Sequence, residues 1–160
     1  MVDAGGVYIG LGSNLGDRDA HIRQALNELA ADADIRVLRS SKFHETEAVG
    51  GPDGQPRYLN AVAELATDLD PHALLNRLQQ IEARHGRERH VPNGPRTLDL
   101  DLLIYRNLSI NTQDLRVPHP RMWQRDFVIE PLQEICEPQR LAAAHQCAAA
   151  AESETANHVR

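Results

Sequence analysis

Apolar residues recur along this chain with two different periods, and the period switches from segment to segment. Residues 7–12, Val-Tyr-Ile-Gly-Leu-Gly, are short and rich in β-formers, which predicts a strand. Between residues 17 and 33, Ile22, Ala25, Leu26, Leu29 and Ala33 fall at helical spacing. Asp17 and Asp19 stand where the positive end of that helix dipole favours acids. Residues 35–44 predict a second strand with an arginine- and serine-rich polar face. Residues 45–57 hold Gly50, Gly51, Pro52, Gly54 and Pro56 and predict a long loop. Residues 58–67 alternate, with Leu59, Ala61, Ala63 and Leu65 on one side and Tyr58, Asn60 and Glu64 on the other. Asp70-Pro71 is a helix start, an N-cap side chain followed by proline at the first helical position. Leu74, Leu75, Leu78 and Ile81 then form its buried stripe. A second irregular segment, 86–95, contains Gly86, Pro92, Gly94 and Pro95. Residues 98–105 give the strongest strand pattern, a shorter strand is expected at 109–111, and the Ala-rich stretch 141–151 predicts a terminal helix that frays beyond Glu152.

The order strand, helix, strand, strand, helix, strand predicts an α+β fold of the ferredoxin-like kind, with a mainly antiparallel sheet backed by helices. Residues 1–140 read as one domain and 141–160 as a terminal helix and tail. Composition agrees. One hundred and sixty residues suit a single domain, and 41% hydrophobic with 25% charged residues supplies a core that a disordered chain lacks. The longest apolar runs, such as Leu102-Leu103-Ile104-Tyr105, fall far short of the roughly 20 residues that span a bilayer. No basic residue precedes an apolar run at the N-terminus, so no signal peptide is expected and the protein reads as cytoplasmic.

Seventeen basic against 23 acidic residues give a net charge of -6, which argues against a nucleic-acid polymer as partner. Yet Arg84, Arg87, Arg89 and Arg96 crowd one segment with His85 and His90, the pattern of a binder of small phosphorylated ligands. Cys136 and Cys147 form no CxxC pair and read as idle thiols, not as a disulfide or a zinc site.

Candidate chemistry concentrates in Gly94-Pro-Arg-Thr-Leu-Asp-Leu-Asp-Leu-Leu-Ile-Tyr. As a strand it puts Leu98, Leu100, Leu102 and Ile104 on one face, and Asp99 and Asp101 together on the other, about 7 Å apart along the backbone. Two carboxylates on one face repel and call for a cation. Magnesium suits, since it takes one or two carboxylates while phosphate and water fill its other positions. The plain alternative is an exposed face with solvated aspartates. Arg96 and the Gly-Arg-Glu-Arg of residues 86–89 favour phosphoryl transfer, which needs carboxylates for metal and arginines for phosphate oxygens. Glu82 falls on the buried helical stripe, where a carboxylate needs a partner, unless it sits at a frayed end with its head in water. His119, between two prolines in Val-Pro-His-Pro, is rigidly presented, either to a ligand or as a turn residue without a role. Gly10-Leu-Gly-Ser-Asn-Leu-Gly is one residue too long for a dinucleotide-binding turn and lacks the Walker lysine, so its glycines read as a strand-to-helix turn, with Ser13 or Asn14 available to cap. No arrangement for covalent catalysis stands out.

These motifs resemble the 6-hydroxymethyl-7,8-dihydropterin pyrophosphokinase family. The resemblance rests on Gly12-Ser-Asn-Leu-Gly-Asp-Arg, Tyr58-Leu-Asn-Ala, Gly86-Arg-Glu-Arg, Gly-Pro-Arg-Thr-Leu-Asp-Leu-Asp and Val-Pro-His, in family order from Tyr8 to Ile135. It implies transfer of pyrophosphate from ATP to a reduced pterin, release of AMP, and a ferredoxin-like, three-layered fold with mobile loops. It implies that Asp99 and Asp101 hold two magnesium ions, with Arg87 and Arg96 acting on phosphate oxygens and Arg89 nearby. Gln79, Glu82, Leu102 and His119 would contact the nucleotide, and Arg125 the phosphate or pterin side. Tyr58 and Phe127 would sandwich the pterin, with Asn60, Thr46 and Val49 completing its pocket. Where the family often has tryptophan and a basic residue, this chain has Asn93 and His90. The expectation is a monofunctional, monomeric enzyme using ATP and a reduced pterin. A two-metal phosphohydrolase and a non-catalytic ligand-binding module are the alternatives.

Overall fold

The computed structural model describes residues 6–47, 54–86 and 97–158, with 150–158 described as backbone alone. In chain order the elements are β1 (Val7–Ser13), α1 (Arg18–Ala31), β2 (Ile35–Ser40), β3 (His44–Thr46), β4 (Tyr58–Thr67), α2 (Pro71–Arg84), β5 (Asp99–Tyr105), β6 (Ile110–Asn111), β7 (Arg116–Val117), a 3-10 turn (Met122–Gln124), α3 (Asp126–Ile135) and α4 (Pro138–His158). The main sheet runs β2-β4-β1-β5, with β3 also on β4, and every pairing is antiparallel. β6 and β7 form a separate two-stranded ribbon. The fold is therefore α+β with an antiparallel sheet.

Alternate residues of the strands feed two cores. Val7, Ile9 and Leu11 of β1 join Ala61, Ala63 and Leu65 of β4 beneath Ile22, Ala25 and Leu29 of α1 and Leu74, Leu78 and Ile81 of α2. Tyr8 and Val62, from the opposite rows, pack with Met122, with Val128, Leu132 and Ile135 of α3, and with Ala144 of α4. Helices thus cover both faces of β1 and β4. The expected division of β4 into a buried and a polar side does not hold: Asn60 and Glu64 are buried as well. Glu64 is accommodated because it accepts the Gly6 N–H at 3.0 Å and faces the Arg39 guanidinium at 3.0 Å. Its cover, α3, is hidden in the sequence by Pro131, which lies inside the helix.

The structure corrects several further expectations. Leu98, Leu100 and Leu102 share the α1/α2 core, but Ile104 lies in the other one with Leu103. The cause is a β-bulge: Tyr8 pairs with Ile104 and Ile9 with Leu102, so Leu103 is an extra residue and the alternation flips. The strand expected at 35–44 breaks after Ser40, because the Ser41 hydroxyl takes the Val62 N–H at 2.9 Å. The chain re-enters the sheet as β3, whose Glu45 and Thr46 fall in the stretch expected to be loop. α1 stops at Ala31, two residues before Ala33. α4 runs from Pro138 to His158, longer than expected at both ends and past Glu152. Finally, Gly10 and Gly12 belong to β1 itself and only Gly16, with φ +75°, serves the turn. α1 is capped by Asp17, which accepts the Ala20 N–H at 3.1 Å, not by Ser13 or Asn14. The strand expected at 98–105 and the shorter one expected at 109–111 fall within a residue of expectation. Cys136 is buried, Cys147 half-buried, and both thiols are free.

Because the bulge turns Leu103 into the α3 core, Leu103→Ala should cost about 2–4 kcal/mol by leaving a cavity there. Urea unfolding should show a lower midpoint at unchanged m. A loss below about 1 kcal/mol would mean that Leu103 is not a packed residue.

Candidate active site

The register between β1 and β5 sets glycine opposite aspartate twice. Gly12 faces Asp99 and Gly10 faces Asp101. Opposite the two aspartates β1 therefore presents no side chain, and a hollow opens beside them. It forms a cavity of about 510 Å³ floored by Gly10, Gly12 and Ala61. Its walls come from separate elements: Thr46 of β3, Tyr58 and Asn60 of β4, and Phe127 of α3. A Cβ on Gly12 would lie 3.1 Å from Asn60 Oδ1, so a side chain there would push against the pocket wall. Asn60 is buried and donates its Nδ2–H to Thr46 Oγ1 at 2.7 Å, which fixes the amide plane. The first turn of α3 (Asp126, Phe127 and Val128) lines the cavity, so the positive end of that helix faces it.

A second cavity, of about 380 Å³, shares Asp99 and Asp101 with the first and extends from them toward α2. Gln79, Glu82, Leu102 and His119 all line it. The two aspartates are thus the common boundary of two cavities, both half-exposed.

Glu82 answers the question its sequence position raised. It is only 3% exposed, and its Oε2 accepts the Leu100 N–H at 2.9 Å. Among the described residues β5 is the edge of the sheet, so this outward-facing amide has no strand partner there, and the carboxylate of α2 supplies the acceptor. The bond falls on the residue between Asp99 and Asp101.

His119 is held by its backbone and by its ring. Its N–H donates to the Leu103 carbonyl at 2.8 Å, and its Nδ1 accepts the Arg121 N–H at 3.2 Å. A neutral ring so bonded carries its proton on Nε2. Burial first, then the Arg125 and Arg121 guanidinium groups, push its pKa down to about 4 against the opposing pull of Asp99.

Thr46, Tyr58, Asn60 and Phe127 thus meet in the first cavity, and Gln79, Glu82, Leu102 and His119 in the second. Arg125 lines the first, its guanidinium 5.5 Å from the centre of the Phe127 ring. Val49, Arg87, Arg89, Arg96, His90 and Asn93 lie outside the described residues. Sequence reasoning missed Glu47, Arg121, Gln124 and Asp126 in the first cavity and Gln113, Asp114 and Arg116 in the second. These sit on turns and element ends, where no periodicity marks them; only closeness to Thr46 for Glu47, and to Val-Pro-His and Phe127 for the others, could have drawn attention. Among the described residues no three His, Cys, Asp or Glu side chains converge as a metal cage. A pair of carboxylates open to cavities on both sides suits instead a hard cation that completes its shell with water and phosphate oxygens. No helix among the described residues is long and apolar enough to cross a membrane.

The folded-state pKa of His119 lies below the ordinary value of 6.5. Its protonation is therefore resisted by the fold, and stability should fall as pH drops from about 6.5 toward 4, with no effect above that window. The loss is bounded by about 3 kcal/mol and reduced by the ring's partial exposure. Urea unfolding at stepped pH should show the parent losing more stability over this window than His119→Gln. Equal losses would mean that His119 titrates normally.

A model of the family described as 7,8-dihydro-6-hydroxymethylpterin-pyrophosphokinase matches residues 8–137. The chain is 48% identical over 130 residues to a 2-amino-4-hydroxy-6-hydroxymethyldihydropteridine pyrophosphokinase of Bacillus subtilis (strain 168), covering 81% of this chain and 77% of that protein. It is 43% identical over 128 residues to the protein of the same name from Haemophilus influenzae, covering 80% of this chain and 79% of the relative. It is also 46% identical over 130 residues to a folate synthesis bifunctional protein of Arabidopsis thaliana, of which it spans only 26%.

Proposed function

This chain belongs to the 7,8-dihydro-6-hydroxymethylpterin-pyrophosphokinase family, and from that membership we propose how its site transfers pyrophosphate from ATP to the hydroxymethyl group of the reduced pterin. The observation that carries the reading is the partition of the site. One cavity has aromatic and amide walls, the other has nucleotide-side candidates, and two carboxylates stand between them. The antiparallel order β2-β4-β1-β5, with helices over both faces, supports the ferredoxin-like sandwich.

Tyr58 and Phe127 stack on the flat pterin, while Asn60 and Thr46 read its hydrogen-bonding edge. The nucleotide occupies the second cavity against Gln79, Glu82, Leu102 and His119, which leaves its phosphates at the aspartates. Asp99 and Asp101 would hold magnesium, two ions in this reading, which when bound neutralises phosphate charge and orients the chain of phosphates. The pterin hydroxyl oxygen then forms a bond to the β-phosphorus, the bond from that phosphorus to the α-phosphate bridge breaks, AMP departs, and the hydroxyl proton is lost. Arg125, and by resemblance Arg87, Arg96 and Arg89, supply cationic donors to the phosphate oxygens. The neutral ring of His119 keeps a single N–H on Nε2 available as a donor in the nucleotide cavity.

Incubation with ATP, magnesium and the reduced pterin should give AMP, not ADP, and only when the pterin is present. Chromatography of the products decides; AMP or ADP forming equally fast without pterin would favour a phosphohydrolase and overturn the reading.

Asp99→Ala and Asp101→Ala should each lower turnover by about 10³-fold or more, the equivalent of several kcal/mol of lost charge stabilisation. Their melting temperatures in metal-free buffer should stay close to the parent's, because each change also removes a carboxylate repulsion. Early melting of either variant would make the pair structural.

A further inference from the structure

Outside the two cavities, a cluster of four titratable groups joins α1 to the end of α2. His21 Nδ1 and His85 Nδ1 are 2.9 Å apart, with the rings edge-on at 70°. His85 Nε2 is 2.8 Å from Glu28 Oε2, and Arg84 Nε donates to Glu28 Oε1 at 2.9 Å. The His85 side chain is 7% exposed, and the reaction proposed above uses neither ring. Burial pulls the Glu28 carboxyl up, but the bonds from Arg84 and His85 hold it below the usual range. Glu28 is thus an anionic acceptor, and His85 keeps a proton on Nε2 to meet it.

That assignment fixes what the other contact allows. With both rings neutral, His85 Nδ1 is a lone pair and His21 Nδ1–H donates to it. With one added proton a single N–H still lies between the rings. With two, N–H meets N–H and the 2.9 Å contact cannot persist. Burial and the neighbouring His85 push His21 below its ordinary range, with Asp17 opposing. Asp17, Glu28 and Arg84 are the charged groups that face the pair from α1 and α2.

The contact reaches the site through a short chain of bonds. The His85 N–H closes α2 on the Ile81 and Glu82 carbonyls at 3.2 and 3.1 Å. Glu82 in turn holds the Leu100 N–H between Asp99 and Asp101. We propose that His85, clasped between Glu28 and His21, is a positioning residue for the nucleotide side of the site, a two-imidazole latch that ties the last turn of α2 to α1 and opens when both rings are protonated. Its kinetic consequence rests on the pyrophosphokinase reading; its structural consequence does not.

Histidine and amide NMR of the full chain, with the KM for magnesium ATP measured in parallel from pH 7.5 to 5.5, tests it. In the parent, the two rings in contact should titrate as a coupled pair, the second proton entering in a lower step, below an isolated histidine. The Leu100 amide resonance should move with that lower step, and the KM for ATP should rise about 3-fold or more across the range while kcat changes less. His85→Gln keeps a donor and an acceptor but cannot be charged. In it, and in His21→Gln, the Leu100 amide should stay fixed and the KM should stay nearly level with pH. His85→Ala, or His21→Ala should the former fail to fold, should show the raised KM already at pH 7.5. Two rings titrating independently near 6.5, a Leu100 amide that ignores the lower step, or an alanine variant with the parent's KM and profile would each overturn the latch. If no pterin-dependent AMP forms, the reaction assigned above fails while the histidine titration and the Leu100 resonance still decide the latch.

Discussion

Two like charges on one strand face can be kept only where the neighbouring strand leaves them room, and the rest of this structure follows from how that room is made. β1 places Gly12 and Gly10 opposite Asp99 and Asp101. Larger residues in those positions would fill the sheet face, force the carboxylates outward and push on Asn60, whose oxygen already lies 3.1 Å from where a Gly12 side chain would start. Glycine in a strand interior weakens a sheet, and here the weakness is offset by the coverage of both strand faces with helices. The open sheet face thus depends on the double-sided core, and the first cavity depends on the open face.

The second cavity has a different origin, the free edge of β5. An edge strand exposes every other backbone amide, and a helix carboxylate that meets one of them removes the liability. Glu82 does this for Leu100 while remaining in the wall of the second cavity. One side chain therefore joins helix packing, strand-edge satisfaction and the placement of the two aspartates. Burying an isolated carboxylate would be costly; bonding it to a backbone amide makes it a structural pin.

How much of this was readable beforehand varies with the kind of signal. Helix α2 follows from local rules and appears with the expected aspartate cap and buried Leu74, Leu78 and Ile81, while Leu75 is only half-buried and lines the second cavity. Strand β4 has the expected bounds, yet its two-sided burial depends on α3, which Pro131 conceals. The bulge at Leu103 has no local mark, because Leu102, Leu103 and Ile104 are all apolar and either parity looks sound in the sequence. The aspartate pair and the aromatic and amide residues were legible through motif and resemblance. Their grouping into two sets came with the resemblance and not from their own spacing, since it depends on where the 3-10 turn and α3 return to the sheet. Arg121, Gln124 and Asp126 owe their place to that return and to nothing in their own spacing.

The bulge and the aspartates are finally one feature seen twice. Up to Leu102, β5 keeps strict alternation, which holds Asp99 and Asp101 in the row that faces the glycines. Beyond it, the extra residue sends Leu103 and Ile104 into the core beneath α3, while Tyr105 returns to the other core. The His119 N–H is tied to the carbonyl of that same extra residue. A strand without the bulge would keep its carboxylates but offer α3 only one of these two side chains, and it would present a different carbonyl to the segment that carries His119. α3 brings Phe127 to the first cavity, and His119 lines the second. A single inserted residue in β5 therefore lets one strand support both cavities while its two carboxylates remain between them.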